Sequence, residues 1–209
     1  MLRTTLVTLV LVLLGWWSGA WITRDFQVWT AEGARRLAVQ ERPVDTPLAT
    51  LAGPGVVGTD LRAWLSGQGR ATIVDFVYTR CPTVCLSLGS EFQQLQQALA
   101  TTPHSGVKLL SISFDPTYDD AISLQRYADR FRADPTIWTI ATVPNAVHLR
   151  RLLNAFQVVV IDDRRGGLEH NAALLVIDGR GRLVRILDDT DTELALNYAR
   201  ALSAGTARE

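Results

Sequence analysis

The chain has 209 residues and only two cysteines, Cys81 and Cys85, which stand four apart in the stretch TRCPTVCLSLGSE (Thr79–Glu91). At that spacing a pair could be a redox couple, a clamp for a soft metal ion, a structural bridge or two unrelated core thiols. A proline is well tolerated as the first residue of a helix, so Pro82 marks a helix start, with Cys81 as its N-cap and Cys85 one turn in. Both sulfurs would then stand at the positive end of the helix dipole, with Arg80 beside them, where thiol pKa is lowered. The thiolate is the form that attacks disulfides and the form that binds metal. Inert core thiols fit such a position poorly.

The spacing bears on the choice. A thioredoxin-type redox motif has two residues between its cysteines, and here there are three. Structural zinc wants four ligands, for which this chain has too few cysteines and histidines in suitable places. Cu(I) accepts two or three soft ligands, so copper fits the sulfurs better. Of the three histidines, His104 lies in a polar loop and His148 on a helix flanked by arginines. His170 directly precedes an apolar run, AALLVID, where it could be a third ligand or a satisfied core histidine.

The elements that must hold these groups follow from hydrophobic periodicity. ATIVDFVY (Ala71–Tyr78) is apolar almost throughout, as a strand buried on both faces should be. Val84, Leu88, Phe92, Leu95 and Leu99 recur at helical spacing, which predicts a helix over about Pro82–Ala100. VKLLSISF (Val107–Phe114) is a second strand, and Asp119–Arg132 a helix with Ala121, Leu124, Ala128 and Phe131 inward. A strand over Thr136–Val143, a helix near Ala146–Phe156 and the extended run FQVVVID come next. AALLVID and LVRIL form a hairpin across Asp178–Gly181, and a last helix covers Thr192–Ser203. Upstream, GTDLRAWLSGQG predicts a short capped helix. The expected fold is α/β, a sandwich with a central mixed sheet, as one domain over residues 46–204.

Residues 1–24 form a separate unit. Thr4–Ile22 carries no charge and is long enough for one membrane-spanning helix. Ser18-Gly19-Ala20 would also serve as a signal-cleavage site, whereas Trp16, Trp17 and Trp21 suit an anchor retained at a membrane interface. Either way the rest of the chain is exported to an oxidising compartment. Residues 25–45 read as a tether. The 21 basic and 21 acidic side chains balance, which gives no electrostatic sign of a nucleic-acid partner. Two cysteines exclude a disulfide framework.

Three stretches in order, DFVYTRCPTVC, SISFDP and LEHNAALLVIDGRGRLV, resemble the Sco/SenC family of copper-binding, thioredoxin-like proteins that assist cytochrome c oxidase assembly. The resemblance spans about Thr59 to Leu187. It implies that Cys81, Cys85 and His170 are copper ligands, for Cu(I) or Cu(II), and that Asp115 is an auxiliary residue near the site. Read from sequence alone, Asp115 could instead cap a turn ahead of Pro116. The chain departs from the family pattern at Leu86, where proline is frequent, and at Glu169, where aspartate is common. Asn171 replaces a small hydroxyl residue, and Asp162–Leu168 is a short excursion. None of these removes a ligand; they bear on partner choice, which loops carry.

The resemblance implies a membrane-anchored metallochaperone on the periplasmic or equivalent extracytoplasmic side, serving the dinuclear copper centre of cytochrome c oxidase subunit II or another copper protein. Two rivals use the same residues. One is a thiol–disulfide oxidoreductase with Cys81 and Cys85 as its redox pair, and the other is a redox or copper sensor.

Overall fold

The computed structural model describes residues 2–26, 28–68, 70–81, 84–102, 105–164 and 167–205, without the side chains of residues 2, 68 and 84–86. In chain order the elements begin with α1 (Leu2–Ile22), α2 (Ala31–Glu41), β1 (Val44–Asp45), β2 (Thr50–Gly53), β3 (Val56–Asp60) and α3 (Leu61–Gln68). The central part comprises β4 (Ala71–Val77), α4 (Val84–Ala100), β5 (Val107–Ser113), α5 (Ala121–Phe131) and β6 (Trp138–Thr142). The chain continues through α6 (Ala146–Ala155), β7 (Val160–Asp162), β8 (Leu168–His170), β9 (Leu174–Asp178), β10 (Arg182–Leu187) and α7 (Thr192–Ser203).

Every residue of β4 is buried, as its unbroken apolar run requires. It pairs parallel with β5, which pairs parallel with β6, while β9 lies antiparallel on its other side. The full order is β1-β10-β9-β4-β5-β6-β2-β3 in one eight-stranded sheet. This is the mixed sheet expected from the sequence. The β9–β10 hairpin turns at Gly181, whose φ of 75° favours glycine, while the Asp178 carboxylate accepts the Arg180 and Arg182 N–H groups.

The face of α4 that carries Leu88, Phe92, Leu95 and Leu99 is buried, as its spacing predicts. Gly89 permits close packing on α5, because a Cβ there would lie 2.3 Å from the Phe131 ring. Gln93 and Gln96 of α4 donate to the Phe131 and Arg132 carbonyls, which satisfies the C-terminal end of α5. On α5 the inward stripe is Leu124, Tyr127 and Phe131. Ala121, expected inward, is exposed, because Tyr127 completes the buried face and the first turn stands at the surface. Asp120 caps that helix through the Ser123 N–H, so it begins after Asp119.

Residues 25–45, read as a tether, contain α2 packed against β10. Val39 and Arg35 are buried there, and Arg35 Nη2 donates to the Phe156 carbonyl. Arg36 forks onto the Asp188 carboxylate. The segment looks unstructured because an arginine stem forms much of its inward face, which hydrophobic periodicity does not register. The FQVVVID run yields only β7, paired with β8 in a separate two-stranded ribbon. Helix α1 is apolar and long enough to cross a membrane, and none of that span is buried.

Candidate metal centre at the end of strand β4

The site lies where the parallel strands β4 and β5 end and the chain turns into α4. Such carboxyl-end crevices are where α/β sheets place ligands. After Val77 the chain makes a turn in which the Cys81 N–H donates to the Tyr78 carbonyl at 3.2 Å. Cys81 is 7% exposed. Cys85 belongs to the first turn of α4. Its sulfur, and the expected N-terminal role of Pro82, lie outside the described residues. His104 does too.

Two carboxylates set the turn. Asp119 is fully buried and accepts from the Thr79 N–H at 2.9 Å, the Thr79 hydroxyl at 2.6 Å and the Ser113 hydroxyl at 2.5 Å. It therefore fixes the backbone two residues ahead of Cys81. Asp115 accepts from Arg80 Nη2 at 2.8 Å, with its side chain only 10% exposed. Its carbonyl accepts the Tyr118 and Asp119 N–H groups, so Asp115 also closes the turn after β5. Arg80 in turn lies over the Tyr118 ring, 3.6 Å from its centroid.

His170 arrives from the other side, at the end of β8. Its ring meets Phe114 edge-on with centroids 5.0 Å apart, and Phe114 packs at a tilt against Tyr78 at 5.4 Å. The Tyr78 hydroxyl accepts the Leu168 N–H at 3.1 Å. One tyrosine thus holds both the cysteine turn and the histidine ribbon. Burial alone lowers the His170 pKa to about 4, because a desolvated imidazolium is disfavoured. At neutral pH the ring is uncharged and keeps a nitrogen lone pair for a metal. His148 sits elsewhere, in the first turn of α6, where its backbone N–H is capped by Asn145.

Among the described residues no three His, Cys, Asp or Glu side chains gather as a metal cluster, a set that excludes the Cys85 sulfur. A buried thiol and a neutral imidazole are nonetheless a donor set suited to copper. Sequence reasoning missed Asp119, Tyr78 and Asp75. The doubled aspartate of TYDD could have signalled the first, one residue capping α5 and the other turned inward. Asp75, in the middle of β4, is fully buried, and burial pushes its pKa up to about 8. The hydroxyl of Ser111, its partner in register, acts against that rise, although no hydrogen bond of full geometry reaches either carboxyl oxygen among the described residues.

A mixed sheet with helices on its faces and a thiol turn at the end of its central strand defines a thioredoxin-like domain. The SCO1/SenC family model matches residues 62–202, and the chain belongs to that family. Solved structures share the fold. A SCO1/SenC family lipoprotein from Bacillus anthracis str. Ames aligns with a TM-score of 0.66 at 21% identity, over 77% of this chain and 97% of that one. Bradyrhizobium japonicum ScoI, solved with copper bound, aligns with a TM-score of 0.59 at 21% identity, over 74% and 99%. BsSco, described as a Sco family cytochrome c oxidase assembly protein with a disulfide switch, aligns at 0.66 with 16% identity, over 78% and 95%. No curated sequence matches the chain.

Proposed function

We propose that this protein is a copper carrier for cytochrome c oxidase assembly, holding the ion between the Cys81 and Cys85 thiolates and the His170 imidazole. The observation that carries the reading is His170, uncharged at neutral pH and joined through the Phe114–Tyr78 pair to the turn that bears Cys81. Disulfide exchange alone has no use for such an imidazole. Copper bound in the Bradyrhizobium relative supports the same reading. The proposed recipient is the dinuclear copper centre of subunit II, reached by ligand exchange between thiolates. Helix α1 would hold the domain at a membrane, on its extracytoplasmic side.

The test is a Cu(II) titration of the reduced protein and of His170→Ala, followed by absorption spectroscopy. The wild type should show a stoichiometric sulfur-to-copper charge-transfer band. The variant should lose it, because two unsupported thiolates are readily oxidised by Cu(II). Its circular dichroism and its ability to form a Cys81–Cys85 disulfide should be retained. Identical spectra would remove His170 from the site. The disulfide switch of BsSco favours thiol–disulfide exchange as the second reading, in which neither protein would hold copper stoichiometrically.

A further inference from the structure

Beside the Cys81 turn is a cleft of about 290 Å³ lined by Thr79, Arg80, Ser123, Arg126, Tyr127 and Arg130. Among the described residues that line it, three of six are arginines and none is acidic. Arg126 and Arg130 stand one helical turn apart on α5, with Ser123 on the same face. The nearby carboxylates each have another partner, and Asp120 also lies close enough to feel the Arg126 charge. Asp115 is paired with Arg80, Asp120 caps α5 through the Ser123 N–H, and Asp129 accepts from the Gln125 amide. Among the described residues no ion pair involves Arg126 or Arg130, and both are exposed.

The rim is apolar. Tyr118, against which Arg80 stacks, is 58% exposed, and Ile122, one turn before Arg126, is 61% exposed. Arginine and tyrosine are among the residue types most enriched where binding energy concentrates at protein interfaces. A free anion would use the guanidinium groups and leave Tyr118 and Ile122 wet. A partner protein bearing carboxylates would engage both.

We propose that this cleft is a docking surface that receives acidic side chains of a partner protein directly beside the Cys81 turn. Arg80 is its fixed end, held by Asp115 and by the Tyr118 ring, and Arg126 and Arg130 are its open end. The inference rests on the copper reading for what is delivered there, but not for the binding chemistry. Electrostatic pairing at such a rim orients the encounter and raises its rate.

The full chain in neutral-detergent micelles is titrated against a fluorescently labelled oligoglutamate peptide, with anisotropy read at low and at physiological salt. Wild type should bind, more weakly as salt rises, and Arg126→Gln/Arg130→Gln should bind about tenfold more weakly. Arg126→Lys/Arg130→Lys should keep most of the affinity. Equal binding by wild type and the glutamine variant, or none by wild type, overturns the proposal. So does a result in which inorganic phosphate, or phosphatidylglycerol added to the micelles, is the ligand that depends on the two arginines while the peptide is not. Copper loading of the same samples is read separately. Its absence from wild type would sink the copper reading and leave the peptide result to decide the cleft.

Discussion

The Tyr78 hydroxyl accepts a hydrogen bond from the Leu168 N–H across 90 residues of chain. The Tyr78 carbonyl meanwhile accepts from the Cys81 N–H. The ribbon that ends in His170 is thus referenced to the turn that carries the first cysteine. Tyr78→Phe removes the hydroxyl and leaves a backbone donor without its partner, a loss of about 1–2 kcal/mol. Hydrogen exchange should quicken in β7 and β8 far more than in β4. Copper affinity should fall although all three proposed ligands remain. Unchanged exchange at Leu168 would show that the ribbon is held by something else.

Asp115→Asn tests a residue with two duties. Its carbonyl duty in the turn after β5 survives the substitution, whereas its charge on Arg80 does not. If the Arg80–Asp115 pair shapes the site, copper should stay bound with affinity or exchange kinetics altered about tenfold or more. Unaltered copper binding would leave Asp115 as a turn residue only.

The sheet was legible in the sequence because its central strands are continuous apolar runs, and α4 because Leu88, Phe92, Leu95 and Leu99 keep helical spacing. The hairpin could be read from the residues of its turn. Helix α2 was hidden by the arginine on its buried face, and β2 and β3 by being short and interrupted at Pro54 and Gly55. At the site, Cys81 and His170 stand out by residue type and position. The groups that hold them do not. Asp119 acts through hydrogen bonds to Thr79 and Ser113, and Tyr78 through one to Leu168. Such pairings join distant parts of the chain and leave no periodic trace.

Gly89→Ala addresses the packing that sets α4 against α5. The added methyl would meet the Phe131 ring, which is itself wedged against Tyr127 and Trp138. Alanine's better helix propensity does not offset that clash, and overpacking of this kind costs about 1–3 kcal/mol. Chemical denaturation should show the loss. A variant as stable as wild type would mean that Phe131 can rotate away at little cost.

Asp75 should make the protein less stable as the solution becomes more basic. Its folded pKa is raised to about 8, from the ordinary aspartate value of 3.8, chiefly by burial. Between those values the folded state holds a proton that the unfolded state has released. Stability is therefore greatest below the unfolded pKa, falls as pH rises through the window, and levels off once pH passes the folded value. The slope is at most about 1.4 kcal/mol per pH unit from this one group. Asp75→Asn is neutral at every pH and close in shape, so it removes the titration without opening a cavity. Urea unfolding of the full chain in neutral detergent, from pH 5 to pH 9, should show wild type losing stability relative to the variant. The variant should be the more stable of the two at pH 8. Parallel profiles would show that Asp75 is ionised in the folded protein, and a buried cationic or hydrogen-bonding partner would then have to be found for it.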